Sequence, residues 1–134
     1  MFSTDTKILI VDDMQSQREL LGAYLRRIGF ADIVEASDGK EAYETLMQSY
    51  QTELPIKLII SDWNMPNLSG LDFLKLVRSN LDFAKLPFLI ITNENEKHRV
   101  VEAIQNGVTN YMVKPLEEST LKEKLERTWE KVKV

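Results

Sequence analysis

At 134 residues, with 43% hydrophobic and 28% charged side chains, the chain has the size and balance of a single globular domain. A chain of this length buries about two-thirds of its unfolded surface and folds without disulfides or a structural metal. Its net charge of −4 argues against non-specific nucleic-acid binding, and the lack of cysteine excludes disulfide scaffolds, thiolate catalysis and Cys-based zinc sites. The opening Met1 to Lys7 precedes only a short apolar run, too short for a secretory signal, and no stretch approaches the ~20 apolar residues of a membrane span. The expectation is a cytosolic protein with neither membrane nor nucleic acid as a partner.

Five short apolar runs read as strands: Lys7–Val11, Ile33–Ala36, Ile56–Ile60, Phe88–Ile91 and Tyr111–Val113. Three of them contain ILIV, LII and FLII, continuous apolar runs that suit strands covered on both faces. Helical periodicity fills the intervals. Leu20, Leu21, Tyr24, Leu25 and Ile28 predict a first helix that Gly29 ends. Ser37 or Asp38 can cap a second, with a stripe of Ala42, Tyr43, Leu46, Met47 and Tyr50. Leu71, Leu74, Val77 and Leu81 predict a third, ended before Pro87. Val100, Val101 and Ile104 predict a fourth, closed by Asn106-Gly107. Leu121, Leu125, Thr128, Trp129 and Val132 predict a fifth, where Ser119 or Thr120 with Glu123 resembles a capping box. Five βα units in succession imply a doubly wound parallel sheet with helices on both faces. No room remains after the fifth helix for an output domain, so residues 1–134 are expected to be one domain.

Polar residues punctuate the strand ends. Asp12-Asp13 follow the first strand, Asp62 the third, Thr92 the fourth and Lys114 the fifth, all at carboxyl ends, where open α/β sheets bind ligands. An Asp after a strand is often a turn residue or a helix cap, Thr92 could cap its helix, and Lys114 could be a surface charge. An acid, a hydroxyl and an amine at the same end of different strands point instead to a site. Neighbouring first and third strands would bring three carboxylates together, an arrangement that needs a proton or a cation. Carboxylates suit Mg²⁺, which keeps several waters and shares its site with phosphate oxygens.

The set Asp12-Asp13, Asp62, Thr92 and Lys114-Pro115 resembles the signature of two-component receiver domains. Within it, Ser61-Asp62-Trp63-Asn64-Met65-Pro66-Asn67 is similar to the chemotaxis response regulators, and the resemblance runs from about Lys7 to the C-terminus. It implies the strand order 2-1-3-4-5 and a switch that accepts a phosphoryl group from a histidine kinase on Asp62. It further implies Mg²⁺ held by Asp13, Asp62 and the Asn64 carbonyl, with Asp12 acting through water. Lys114, ahead of a cis Lys114-Pro115 bond, would meet the phosphoryl oxygens. Thr92 and Tyr111 would form the switch pair, and a downstream protein such as the flagellar motor switch would read the result.

Two departures from that family stand out: Asn93, where a small residue is usual and where bulk could narrow the site, and a longer Gln48–Ile56 segment, read as surface variation. His98 is expected on a solvated stretch, Trp63 half-buried beside the nucleophile, and Trp129 in the core. A Mg²⁺-dependent aspartyl-phosphate phosphatase of the haloacid dehalogenase type would need an Asp-x-Asp on its first strand, where this chain has Asp12-Asp13-Met14. A flavodoxin-like cofactor binder would need a phosphate loop where Asp12-Asp13 would repel one. A receiver serving as a phosphate sink or relay stays open at this point.

Overall fold

The structure is a computed structural model that describes residues 1–93 and 97–133. Its elements follow the expected alternation: β1 (Ile8–Val11), α1 (Gln15–Ile28), β2 (Ile33–Ala36), α2 (Gly39–Ser49), β3 (Leu58–Asp62), α3 (Gly70–Ser79), β4 (Phe88–Thr92), α4 (Lys97–Gln105), β5 (Asn110–Val113) and α5 (Glu118–Val132). The strands form one sheet in the order β2-β1-β3-β4-β5, every pair parallel.

Alternation along each strand divides the apolar side chains between two cores, because successive residues point to opposite faces. Leu9, Val11, Ile59 and Ile90 pack with Ala42, Leu46, Leu71, Phe73, Leu74 and Ala103 of α2, α3 and α4. Ile8, Ile10, Leu58, Ile60, Leu89 and Ile91 pack with Leu21, Leu25, Leu121 and Leu125 of α1 and α5. Both faces of the sheet are thereby covered, which is why its inner strands read as unbroken apolar runs. Gly29 ends α1 at a φ of 129°, its N–H donating to the Leu25 and Arg26 carbonyls. Asp38, of the two candidates, caps α2 by accepting from the Glu41 N–H.

Several helix faces differ from the sequence expectation. Leu20 and Met47 lie on the solvent side, since a helix on a sheet buries a narrower stripe than its apolar residues span. Leu81 is 95% exposed beyond the end of α3, whose buried face instead includes Phe73, tilted against Phe88 with 5.5 Å between ring centroids. On α4 the small residue Ala103 faces the core and Val100 is half-buried, leaving Val101 and Ile104 54% and 59% exposed. Ser119 and Thr120 fall inside α5, whose N-cap is Glu117 with no side-chain cap, so no capping box forms. Trp129 meets Phe2 edge-on at 5.2 Å. The Gln48–Ile56 segment is tied down: Ser49 Oγ accepts from the Ile56 N–H, and the Tyr50 hydroxyl donates to the Ile56 carbonyl.

Phe73 and Leu81 separate the two readings of α3. Urea unfolding should show Phe73→Ala losing about 3–5 kcal/mol, a large truncation in a packed core. Leu81→Ala should stay within about 0.5 kcal/mol of the parent, as exposed positions do.

Candidate functional site: an acidic cluster at the carboxyl edge

Pairing in the sheet fixes where each polar residue emerges. Val11 pairs with Ser61, so Asp12 and Asp62 are level at the ends of β1 and β3. Asp62 pairs with Ile91 and Thr92 with Val113, which sets Lys114 one step beyond the edge. Hydrogen bonds continue past the strand ends, from Asp12 N–H to the Ala36 carbonyl, Trp63 N–H to Ile91 and Lys114 N–H to Thr92. Five of the predicted residues (Asp12, Asp13, Asp62, Thr92 and Lys114) therefore emerge along one carboxyl edge by register alone, and Lys114-Pro115 is cis as the resemblance implied.

α3 starts immediately below. Gly70 donates its N–H to the Trp63 carbonyl at 2.8 Å. A Cβ at that position would stand 2.2 Å from the Asp62 carbonyl oxygen, so only glycine lets the helix begin this close to the Asp62 backbone.

Asp12, Asp13 and Asp62 each place a carboxylate oxygen within 4.8 Å of the others. Asp12 and Asp62 are 5% and 4% exposed, whereas Asp13 faces solvent. Burial pushes the Asp12 pKa from 3.8 up to about 6; a bond from the Met14 N–H opposes the shift, and the Asp62 charge adds to it. Burial likewise raises Asp62, against the pull of Lys114, whose Nζ lies 3.0 Å from Asp62 Oδ1, and of the Asn64 N–H. One ammonium thus faces three crowded carboxylates. An all-oxygen donor set, partly buried and short of positive charge, fits a hard divalent cation.

Thr92 is 2% exposed, and its Oγ1 has no hydrogen-bond partner among the described residues. A buried hydroxyl in that state suits an incoming acceptor oxygen. Tyr111 pairs with Ile90, two residues before Thr92, so Tyr111 and Thr92 share the face of the sheet that α4 covers. Its ring is half-exposed, with Lys124 Nζ 4.6 Å from the ring centroid. Asn93 is exposed and lines a shallow pocket with Gln17, Leu20 and Lys114, on the Lys114 side of the site. His98 is exposed on α4, as expected.

The sequence reading did not find two arginines. Arg18 donates to the Asp12 carbonyl and pairs with Glu35 at 3.0 Å, bracing the β1–α1 loop. Arg99 donates to Asn64 Oδ1 at 2.8 Å, and its guanidinium lies over the Trp63 ring, 5.3 Å from the centroid. Trp63 itself is buried, not half-buried, because α3 packs close beneath it and Arg99 lies across its ring. No local motif marks either arginine; each acts across a loop that only the fold brings near.

A doubly wound parallel sheet with a buried carboxylate, two acidic neighbours, a lysine and a hydroxyl at one edge defines an α/β domain whose polar site lies at the carboxyl ends of its strands. The sequence profile of the response regulator receiver domain matches residues 8–126, and the chain belongs to that family. It is 44% identical over 120 residues to the Helicobacter pylori chemotaxis protein CheY1, covering 90% of this chain and 94% of that one. It is 38% identical to the Vibrio cholerae chemotaxis protein CheY-3 over 132 residues, 98% of each. The solved Vibrio cholerae chemotaxis protein CheY4 superposes with a TM-score of 0.79 at 33% identity, covering 92% of this chain and 98% of that one. The chain is a phosphorylation-dependent switch of two-component signalling, working between a histidine kinase and a downstream target. Among the described residues, no helix is long and apolar enough to cross a membrane.

The raised Asp12 pKa has a consequence for the metal-free protein. Folding holds the proton on Asp12 to higher pH than the unfolded chain does, so this group's contribution to stability falls as pH rises from about 4 through about 6. Asp12→Asn keeps an oxygen for the Met14 N–H and removes the titration. In chelator at pH 7.5, the variant should be more stable by on the order of 2 kcal/mol, and the advantage should vanish below about pH 4. Chemical denaturation across that range checks it; an advantage independent of pH would contradict the assignment.

Proposed function

We propose that Asp62 is the phosphoacceptor of a chemotaxis response regulator, that Mg²⁺ is its metal, and that residues 1–134 work in the cytoplasm as one receiver domain. The observation that carries this reading is the Asp62 carboxylate, buried, 3.0 Å from Lys114 and within 4.8 Å of two further acids. Asp13, Asp62 and the main-chain carbonyl of Asn64 hold the metal, with Asp12 acting through a water. Bound there, Mg²⁺ supplies positive charge to the acid cluster and to the phosphoryl oxygens.

The transfer itself needs positioning and charge more than acid–base chemistry. An Asp62 oxygen forms a bond to phosphorus as the P–N bond of the kinase's phosphohistidine breaks, the electron pair staying on the imidazole. Lys114 exchanges its contact with Asp62 for one with a phosphoryl oxygen, and the Thr92 hydroxyl donates to another. Thr92 drawn toward the site vacates space on the face it shares with Tyr111, whose half-exposed ring turns inward. Phosphorylation brings roughly two negative charges to Asp62, and the ring's movement carries that event to the surface beside α4. The catalytic work is confined to the domain's own phosphorylation and dephosphorylation, so it is a switch and not a turnover enzyme.

The exposed Val101 and Ile104 lie on the helix that flanks Tyr111 and offer the output surface. The flagellar motor switch is the target we propose, following the resemblance of the Asp62 motif to chemotaxis response regulators. A tenfold preference for the phosphorylated form corresponds to about 1.4 kcal/mol, which burial of part of one aromatic ring can supply.

Acetyl phosphate with Mg²⁺ should add one phosphoryl group, mapped by mass spectrometry to Asp62, and Asp62→Asn should take none. Labelling of that variant at the parent level would contradict the assignment. Titrated against the motor switch protein, with and without beryllofluoride, the parent should bind its activated form about tenfold more tightly. Tyr111→Ala and Ile104→Asp should each reduce that preference while phosphorylation at Asp62 stays normal. Parent-like binding by both would place the output surface elsewhere.

A further inference from the structure

We propose that Arg99 is a positioning residue for Asp62, clasping Asn64 and Trp63 so that the N-terminal turn of α4 is tied directly to the phosphorylation site. The inference rests on the phosphoacceptor reading of Asp62 and adds a route to α4 that does not pass through Thr92 and Tyr111.

The clasp has three joints. Asn64 lies in the β3–α3 loop two residues after Asp62, so the position of Asn64 bears on the orientation of the nucleophile. The Asn64 side chain is exposed, and its Oδ1 accepts from Arg99 Nη1 at 2.8 Å. The Arg99 guanidinium also lies over the indole of Trp63, the residue between Asp62 and Asn64, 5.3 Å from its centroid. Trp63 is in turn fixed at its main chain, its N–H donating to Ile91 and its carbonyl accepting from Gly70. Arginine alone among the cations offers a planar group that hydrogen-bonds at its edge while stacking through its face. Arg99 therefore fixes two consecutive residues after the nucleophile from a different helix.

α4 is the helix for which such a tie matters. Within Lys97–Gln105, Ala103 is the buried residue, while Val101 and Ile104 face outward. A helix with so little of its own surface in the core is held in good part by contacts like this one. A shallow pocket lined by Asp13, Trp63, Asn64, Met65 and Arg99 opens beside the clasp. Coupling of this kind is reciprocal: a change at Asn64 loads α4, and a partner that shifts α4 alters Asp62.

The test compares Arg99→Ala, Arg99→Lys and the control His98→Ala, a change at the neighbouring exposed position on α4. Rates of phosphorylation by acetyl phosphate are measured for each, and the Trp63 indole N–H signal is followed in metal-free protein. The chain has two tryptophans, and Trp129, packed on Phe2 away from the site, serves as the internal reference. A parent that takes no phosphoryl group on Asp62 would overturn the underlying functional reading. Given a parent that does, both Arg99 variants should be slower by about threefold or more, because loss of positioning slows the chemical step. Both should shift the Trp63 signal and leave Trp129 in place, and His98→Ala should match the parent. In an Asn64→Ala background, which keeps the main-chain N–H and carbonyl, the Arg99→Ala effect should shrink to less than about twofold, the mark of two residues acting as one unit. A parent-like rate for Arg99→Lys would overturn the clasp in favour of charge acting through space. An undiminished Arg99→Ala effect without the Asn64 side chain, or an unmoved Trp63 signal, would overturn it as well.

Discussion

Three carboxylates held within 4.8 Å at one edge of a sheet, two of them buried, are a constraint that the rest of this fold accommodates. Burial favours protonation of a carboxyl, and like charges at that spacing strengthen the effect, which is why the Asp12 pKa is pushed up to about 6. Lys114 offsets part of the repulsion, from a position fixed by the pairing of β4 with β5. The remainder makes the site receptive to positive charge, and a receptive site can be switched. A cluster fully neutralised by protein groups would have no response left to give when a phosphoryl group arrives.

Geometry around the cluster converts that state into something a partner can read. The sheet is covered on both faces, so a change proposed at Asp62 finds little freedom in β3 itself. In the proposed switch, movement falls on the groups with room or, among the described residues, with an unmet bond: the Thr92 hydroxyl, the half-exposed ring of Tyr111, and α4 with its outward Val101 and Ile104. The two proposed connections, through Thr92 on one side and Arg99 on the other, would reach the same helix from adjacent strand ends. A bistable element biased from two points is easier to hold in either state than one biased from a single hinge.

Much of this was legible in the sequence, for a physical reason. Parallel strands buried on both faces must be continuous apolar runs, and a residue just past such a run must lie at the carboxyl edge. The apolar runs alone therefore place Asp12, Asp13, Asp62, Thr92 and Lys114 together. Helix faces were less legible. Val101 and Ile104 satisfy helical periodicity as well as Ala103 does, but which side meets the core depends on how α4 lies on the sheet. Leu81 extended a regular stripe beyond the point where its helix stops, and Phe73 was passed over although it is fully buried. Arg99 and Asn64 are 35 residues apart, a contact that neither motif nor periodicity encodes.

The central claim, that this acidic cluster is completed by a divalent cation, is tested most directly by calorimetric titration of Mg²⁺ into the parent and into Asp13→Ala at pH 7.5. The parent should bind one ion weakly, because few protein ligands replace its waters. Asp13→Ala, folded and relieved of one repelling charge, should show no binding under the same conditions. Equal binding by the two proteins would contradict the account and place the metal elsewhere.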